Sequence, residues 1–351
     1  MEAESYTVAP PVSDPALQQR MLQLVYGMLV AQAASAFACL RVPDMLSPVP
    51  RHVEDIAEGI GADAPALYRL LRALASQGLV AELEGRRFTS TPLGDTLRRD
   101  GPGSWAPLAI MFGSAFHRAA WTGLAESVST GRPAFSWVHR MPAFEYLSAH
   151  PEDAAIFNAA MTTISEAFIA TTLPCYDFGR FHTLVDVGGG QGALLGAILA
   201  RYPGARGVLF DTPGVVEGAR RALARMGVGD RSEVIPGSFF DAVPAGADAY
   251  LLSNILHDWS DDDAVQILAT CRAAMGTCST LLIFEGVLGD NPAADPLLTL
   301  VDLEMLVTGE GARQRTRQEL QELFQRAGLE LIGVTPGPVA SILEVKPRWG
   351  E

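Results

Sequence analysis

The sequence predicts an α/β fold in which a doubly wound parallel sheet follows a mainly α-helical, winged-helix-like N-terminal domain. From Phe181 onward, short apolar runs alternate with helical periodicity, a pattern typical of strand–helix–strand units. Nearer the N-terminus, two amphipathic segments precede a hairpin pattern, which indicates a winged helix. We therefore expect an N-terminal domain at 1–100, a helical linker at 101–178 and a sheet domain at 179–351. The strand candidates of the sheet are 183–187, 207–210, 232–235, 248–253, 280–285, 329–335 and 340–345.

The winged-helix pattern is compatible with two functions. Helices are predicted at 53–60 and 64–78, and the turn at 84–85 joins the two hairpin strands. In a DNA-binding regulator, Tyr68, Arg69 and Arg72 would lie on the exposed face. The 40 acidic and 26 basic side chains give a net charge of −14, which disfavours a nucleic-acid partner. We favour a dimerisation module and keep the ligand-sensing DNA-binding regulator as an alternative.

One long apolar segment precedes this module. Residues 21–40 carry no charge, and the stretch is long enough to cross a membrane. Its alanines and the polar Gln23, Gln32 and Ser35 disfavour a membrane span. We expect a helix buried in a homodimer interface instead.

Cysteine usage and the start of the chain bear on the compartment. The four cysteines form no Cys-x-x-Cys motif, which is typical of a reducing compartment and predicts no structural zinc. Residues 1–18 contain acids and prolines rather than the basic start of a secretion signal. The acidic run at 261–263 is interpreted as a helix start, because Asp favours helix N-termini. We expect a cytoplasmic protein that binds no metal.

The most informative segment is LVDVGGGQG at 184–192. Its apolar run ends in Asp186, and Gly188, Gly190 and Gly192 follow before a helical pattern. Glycines let backbone amides approach a ligand closely, and the helix N-terminus adds partial positive charge. The carboxylate suits a ligand that carries positive charge, and S-adenosylmethionine has both a sulfonium and an ammonium group.

A second acid follows the next predicted strand. Asp211 ends the run GVLFD, where a carboxylate can accept hydrogen bonds from ribose hydroxyls. NAD is therefore an alternative ligand. The GxGxG spacing favours the methyl donor over the GxGxxG of dinucleotide sites.

An apolar stripe lies ahead of the sheet domain. Phe157, Met161, Ile164 and Phe168 recur at helical spacing, as core residues do. The same stripe is suited to lining a pocket for a flat apolar substrate, and both interpretations remain open.

The catalytic candidate is His257. The strand AYLLSNIL places it at the carboxyl edge of the sheet, where the ligand is also expected. A phenol has a pKa of about 10, and an imidazole of pKa about 6.5 can remove its proton, which accelerates reaction roughly 10²–10⁴-fold. Glu285 ends the strand LLIFE and is the candidate for orienting the imidazole. The other histidines, His117 among them, have nothing nearby to single them out.

The motifs VDVGGGQG, FDTP, GSFF, ILHDW, FEGVL and DLEMLVTGEGARQRT resemble, in combination, those of one enzyme family. The chain is similar, over about residues 17–346, to the S-adenosylmethionine-dependent O-methyltransferases of the plant caffeate and flavonoid type and the bacterial polyketide-tailoring type. The resemblance implies a Rossmann-like methyltransferase domain preceded by a winged-helix dimerisation domain. It also implies an intertwined homodimer, an aromatic small-molecule substrate and methylation of a phenolic hydroxyl.

The resemblance also implies residue roles. His257 would be the general base and Glu285 would flank it, while Gln314 stands where most members have a second glutamate. The positions expected to bind the cofactor S-adenosyl-L-methionine are Asp186, Gly188, Gly190, Gly192, Asp211, Ser238, Phe239, Ser253 and Trp259. The positions expected to bind the substrate are Met111, Phe112, Phe157, Met161, Asn254 and Met305.

Three positions depart from the pattern of many family members. Ser238 replaces an aspartate near the adenine, Ser253 replaces a lysine of plant members, and Gln314 replaces the glutamate. A neutral amide stabilises an imidazolium less than a carboxylate does, so the basicity of His257 would depend mainly on Glu285. These departures keep open an alternative with the same fold and cofactor but hydroxylase-like or decarboxylase-like chemistry.

Overall fold

The structure is a computed structural model that describes residues 14–46, 49–101, 103–291 and 293–348. The chain divides into two compact units, Met1–Gly113 and Ser114–Glu351. The predicted domain boundaries near residues 100 and 178 stay predictions, and their outermost residues, 1–13 and 349–351, lie outside the described ranges.

The N-terminal unit is mainly helical and contains a small antiparallel sheet of strand order β1-β3-β2. The long first helix begins where the Asp14 carboxylate accepts the N–H of Ala16, and the fourth is capped in the same way by Asp63. The elements are α1 (Pro15–Cys39), α2 (Val42–Leu46), β1 (Arg51–His52), α3 (Val53–Ile60), α4 (Ala64–Ser76), β2 (Val80–Leu83), β3 (Arg87–Ser90), α5 (Pro92–Asp95) and α6 (Ala106–Gly113). The order α3, α4, β2, β3 is the predicted helix–helix–hairpin arrangement.

The first helix exposes a wide apolar surface. Its buried residues are confined to the C-terminal third, whereas Leu24, Val25, Tyr26 and Met28 are each more than half exposed. By length and composition, α1 and the segment Pro151–Cys175 are both apolar enough to cross a membrane. A helix that packs against a second protein chain has the same composition, and so does a helix in a protein core.

Helices begin the C-terminal unit. They are α7 (Ala115–Trp121), α8 (Leu124–Thr130), α9 (Ala134–His139), α10 (Ala143–Ala149) and α11 (Pro151–Thr172), and the last of them continues into a short 3₁₀ turn, Leu173–Cys175.

A seven-stranded sheet, in the order β11-β12-β8-β7-β4-β5-β6, forms the centre of the unit. Its first five strands in sequence are parallel, whereas β12 pairs antiparallel with β8 and β11 pairs antiparallel with β12. The strands are β4 (Thr183–Val187), β5 (Arg206–Asp211), β6 (Ser232–Pro236), β7 (Ala249–Ser253), β8 (Thr280–Glu285), β11 (Leu329–Thr335) and β12 (Ser341–Pro347). Two further short strands, β9 (Val287–Leu288) and β10 (Arg315–Thr316), pair in parallel with each other. The helices are α12 (Ala193–Arg201), α13 (Pro213–Arg225), α14 (Asp261–Ala274), α15 (Pro296–Thr308) and α16 (Arg317–Arg326).

Both faces of this sheet are covered by apolar cores. Leu209 and Phe284 belong to the core on one face, and Tyr250 and Ile283 belong to the core on the other. Strands buried on both faces are expected to be continuous apolar runs, as β7 and β8 are. The doubly wound α/β fold and the helical N-terminal unit that precedes it are confirmed.

The order of the strands locates the ligand crevice. The chain builds outward from β4 through β5 and β6, and then returns to the other side of β4 with β7 and β8. Ligands of such sheets bind at the carboxyl ends of the strands where the order reverses. We therefore describe the site from the ends of β4, β5, β7 and β8.

Candidate active site

A sharp turn after β7 carries His257. Asn254 has a positive φ of 53°, and its backbone N–H donates to the Phe284 carbonyl at 2.9 Å. Asparagine tolerates this left-handed conformation better than most residues do. The chain therefore leaves the sheet at once and enters a short 3₁₀ turn, Leu256–Asp258, that holds the histidine at the carboxyl edge.

Glu285 holds the imidazole of His257. The Nδ1 atom of His257 lies 2.8 Å from Oε2 of Glu285, a residue that is only 2% exposed. The other carboxylate oxygen accepts the backbone N–H groups of Ile255 at 3.1 Å and Leu256 at 2.8 Å. One glutamate thus fixes both the ring, through Nδ1, and the turn that bears it.

A second carboxylate lies on the other side of the ring. Asp258 Oδ1 is 3.5 Å from Nε2 of His257. Burial opposes the charge of the imidazole, but the carboxylates of Glu285 and Asp258 outweigh it, and the pKa of His257 is raised to about 9. The ordinary pKa of an imidazole, about 6.5, therefore does not apply to His257. Without ligands, His257 is therefore mostly protonated at neutral pH.

Gln314 lies in the same cleft as the histidine. It is 4% exposed, and its backbone N–H donates to Asp302 Oδ1 at 2.7 Å. Its side-chain Oε1 is buried without a hydrogen-bond partner among the described residues. The cleft is lined by Leu256, His257, Glu285, Gly286, Arg313, Gln314, Arg315 and Leu320. The structure thus brings together the three residues predicted to be catalytic.

The glycine turn adopts the backbone conformation that its sequence requires. Gly188, Gly190 and Gly192 all have positive φ, of 70°, 56° and 80°. A Cβ atom on Gly188 would lie 2.6 Å from Ile255 Cδ1, so the turn passes directly beside the segment that leads to His257. A Cβ on Gly190 would meet nothing within 4 Å.

Two carboxylates support the turn. Asp211, at the end of β5, accepts the Gly190 N–H at 2.8 Å and the Thr212 N–H at 2.6 Å. Asp186 is 1% exposed, and its Oδ2 has no hydrogen-bond partner in the described part of the chain. Burial, and then the charge of Asp211, raise the pKa of Asp186 to about 7.

This acidic strand edge fits the expected cofactor. A buried carboxylate oxygen without a partner, beside a second carboxylate, favours a ligand that brings positive charge and hydroxyl donors. S-adenosylmethionine has both, whereas a pyrophosphate would add negative charge.

Aromatic rings cluster beside the glycine turn. Trp259 meets Phe239 edge to face at 5.8 Å between ring centres and Phe240 at 4.7 Å, and it stacks on Phe144 at 6.0 Å. Ser238 accepts the N–H of Phe240 through its hydroxyl at 3.2 Å. Phe239 and Trp259 are predicted from the sequence and Phe240 is not, although both phenylalanines are part of the GSFF motif. The predicted cofactor contacts of these residues, and of the half-buried Ser253, stay predictions.

The predicted substrate positions divide between the two units. Phe157 and Met161 on α11 and Met305 on α15 are half-buried in the C-terminal unit, as is Asn254. The remaining two are on α6 of the N-terminal unit, where Met111 is buried and Phe112 is 41% exposed. Their roles in binding stay predictions.

Two features of the C-terminal unit were missed from sequence. Arg315 is a buried arginine that contacts the histidine turn. Glu304 Oε1 lies 2.9 Å from His117 Nε2, and its Oε2 accepts the indole N–H of Trp121 at 2.5 Å. No local pattern marks either feature, because the partners are far apart in the sequence.

The fold and the chemistry of this edge together define an S-adenosylmethionine-dependent methyltransferase. Two family models match the chain: an O-methyltransferase domain over residues 121–330 and an O-methyltransferase dimerisation domain over residues 22–100. The chain therefore belongs to the O-methyltransferase family, as its motifs predicted.

Known relatives cover almost the whole chain. The phenazine O-methyltransferase PhzM of Lysobacter antibioticus is 41% identical over 94% of this chain and 96% of its own length. The 8-amino-8-demethylriboflavin N,N-dimethyltransferase of Streptomyces davaonensis is 39% identical over 95% and 96%. The aclacinomycin 10-hydroxylase RdmB of Streptomyces purpurascens is 35% identical over 89% and 84%.

A solved structure of another relative contains the cofactor. The O-methyltransferase NcsB1 from neocarzinostatin biosynthesis, in complex with S-adenosylmethionine and 2-hydroxy-5-methyl naphthoic acid, superimposes with a TM-score of 0.77. It is 31% identical, with 98% of this chain and 99% of that chain covered. S-adenosyl-L-methionine is the cofactor of the family and of this enzyme.

Proposed function

We propose that this enzyme methylates a phenolic hydroxyl of an aromatic small molecule in natural-product biosynthesis, with His257 as general base. The observation that carries the proposal is the contact between His257 and Glu285 at the carboxyl ends of β7 and β8, beside the glycine turn. Relatives such as the phenazine O-methyltransferase support the aromatic acceptor.

The two nitrogens of His257 have different roles. Nδ1 is engaged with Glu285, which fixes the ring orientation and stabilises the imidazolium once it forms. Nε2 takes the proton of the acceptor hydroxyl as its oxygen attacks. Because His257 must be neutral to do this, the enzyme works on the fraction in which the imidazole has lost its proton.

The residues around the glycine turn would hold the cofactor. When bound, S-adenosylmethionine supplies the methyl group, whose carbon bonds to the acceptor oxygen while its bond to sulfur breaks and sulfur keeps the electron pair. Asp211 would hold the ribose, Asp186 would balance positive charge, and Phe239 and Trp259 would border the adenine. Gly188, Gly190 and Gly192, with Ser238 and Ser253, complete the proposed cofactor site.

The acceptor would be held by apolar side chains. Half-buried Phe157, Met161 and Met305 offer flexible thioethers and a ring, which suit a flat aromatic molecule. Such a lining also excludes water from the reacting atoms. Asn254, Met111 and Phe112 are further proposed contacts.

Other observations support the proposed domain organisation, homodimer and cellular compartment. The dimerisation-domain match and the exposed apolar surface of α1 support a homodimer formed through residues 1–100. The segments 101–178 and 179–351 would provide the substrate lining and the methyltransferase domain. All four cysteines are described and unpaired, three of them exposed, which fits a reducing cytoplasm.

The test combines binding with product analysis. Isothermal titration with S-adenosylhomocysteine measures the cofactor site, and phenolic acceptors are then screened with S-adenosylmethionine by mass spectrometry. We expect a product heavier by one methylene unit and carrying an O-methyl group.

Other products would point to other chemistry. A gain of one oxygen atom or a loss of carbon dioxide would replace the proposal with the non-methylating alternative, as in the relative named as a hydroxylase. Methylation of amines but not of phenols would move the acceptor atom to nitrogen.

A further inference from the structure

A buried guanidinium holds the turn that carries His257. Arg315 is 2% exposed, and its Nη1 donates to the Leu256 carbonyl at 2.6 Å. Its Nη2 donates to the Trp259 carbonyl at 2.8 Å, and its Nε donates to Asp261 Oδ1 at 2.9 Å. These three acceptors flank the histidine on both sides along the chain, so a single planar group determines the path of the turn.

Backbone hydrogen bonds near Arg315 hold the same turn in place. The N–H of Arg313 donates to the His257 carbonyl at 2.9 Å. Strand β10 pairs in parallel with β9, where Arg315 is opposite Val287, two residues after Glu285. The 313–315 segment is therefore bonded both to the histidine turn and to the strand extension that follows the orienting glutamate.

The charge of Arg315 acts on the imidazole as well. A positive group beside His257 disfavours its protonation, which works against the two carboxylates. Glu285 faces the ring from β8, Asp258 from its own turn and Arg315 from β10, while the side chains of Arg313 and the neutral Gln314 line the same cleft. Arg315 is thus the buried cation in this set.

We propose that Arg315 is a positioning residue for methyl transfer, which sets both the geometry of the His257 turn and the readiness of the imidazole to accept a proton. The proposal rests on His257 being the base. Lysine cannot replace this function fully, because it carries the charge but lacks the planar fork of donors.

Two substitutions separate geometry from charge. Arg315→Lys keeps the positive charge but loses the set of three hydrogen bonds that the guanidinium makes, whereas Arg315→Met loses both the charge and the hydrogen bonds. Arg326→Met is the matched control, because Arg326 forms an exposed ion pair with Asp262, the neighbour of Asp261. Thermal unfolding and S-adenosylhomocysteine titration show whether each variant is folded and binds the cofactor product.

The main measurement is the pKa of His257 by NMR in the ligand-free protein, with the resonance assigned by comparison with His257→Asn. We expect Arg315→Met to raise this pKa, to move the rise of kcat to higher pH and to lower kcat at neutral pH by about 10- to 100-fold. Arg315→Lys should lower kcat about 10-fold with the pKa nearly unchanged. The affinity for S-adenosylhomocysteine should change less than about 5-fold in both.

A folded Arg315→Met protein with an unchanged His257 pKa and pH profile would overturn the proposal and leave a structural role only. If that variant does not fold, Arg315→Lys decides, and an unchanged kcat overturns the proposal. Failure of the proposed function is distinguishable, because a fully active His257→Asn enzyme would remove the base while leaving the NMR result on Arg315 intact.

Discussion

The C-terminal unit contains two histidine–glutamate contacts of nearly equal length. His257 Nδ1 lies 2.8 Å from Glu285, and His117 Nε2 lies 2.9 Å from Glu304. The first stands at the carboxyl ends of the sheet strands, and the second joins helices α7 and α15. A short histidine–carboxylate distance therefore does not by itself identify a general base.

The second oxygen of each glutamate shows how the two differ. In Glu285 it accepts two backbone N–H groups of the histidine turn, so the carboxylate builds the local geometry of a reactive ring. In Glu304 it accepts the indole N–H of Trp121, so the carboxylate connects side chains of α7 to α15. The second contact therefore joins α7 to α15, the helix that also carries Met305, a proposed acceptor contact.

Replacing each histidine by asparagine should give the largest contrast. His257→Asn removes the proposed base, and we expect kcat to fall about 10²–10⁴-fold. His117→Asn should lower kcat by less than about 10-fold, because it disturbs only the junction between helices. Steady-state kinetics with a methylated acceptor measure both. Equal losses of kcat in the two variants would mean that a histidine–glutamate contact at the strand ends is no more important for catalysis than the one between the helices.

Replacing each glutamate by glutamine should separate kcat from KM. Glu285→Gln removes the carboxylate that raises the pKa of His257, so this pKa should fall. Although more of the imidazole is then neutral, kcat should drop about 10- to 100-fold, because the ring loses the carboxylate that orients it and stabilises the imidazolium. Glu304→Gln should raise the acceptor KM by about 2- to 10-fold and leave the His257 pKa unchanged. NMR titration and kinetics on the same samples check this. A shifted His257 pKa in Glu304→Gln would couple two sites that we treat as independent.

Most of the fold could be predicted from sequence because its signals are local. Residues 281–284 are apolar and are followed by Glu285, and the structure has a strand over the predicted range 280–285. The position of His257 at the carboxyl edge of the sheet could be predicted in the same way, because the residue follows directly after a largely apolar run. The hydrogen bonds from Arg315 to the histidine turn could not be predicted in this way, because β9 and β10 have only two residues each and no periodicity marks them. The Glu304–His117 contact spans 187 residues, which local patterns do not report.

The pH dependence of turnover should reflect the raised pKa of His257. The pKa of His257 is raised to about 9, so the neutral base is scarce at neutral pH and kcat/KM should rise about 10-fold per pH unit below that pKa. The contribution of His257 to folding stability has the opposite pH dependence and decreases as the pH rises. Because the folded pKa exceeds the unfolded value of about 6.5, the contribution of protonated His257 is complete below pH ~6.5 and is lost as the pH rises through about 9. In thermal unfolding followed against pH, His257→Asn should lack this trend.

The smallest predicted effect comes from adding a carboxylate beside the His257–Glu285 contact. Gln314 is buried in the His257 cleft with its Oε1 unpartnered, so Gln314→Glu places a further negative charge near the imidazole. This charge should raise the His257 pKa again and stabilise the imidazolium that forms during proton transfer. We expect kcat to fall about 2- to 5-fold at neutral pH and to rise by a similar factor above the His257 pKa. Gln318→Glu on the exposed face of α16 is the charge-matched control and should leave the profile in place. If Gln314→Glu left the pH profile unmoved, the side chain at this position would not act on His257, and Glu285 and Asp258 would account for its basicity without it.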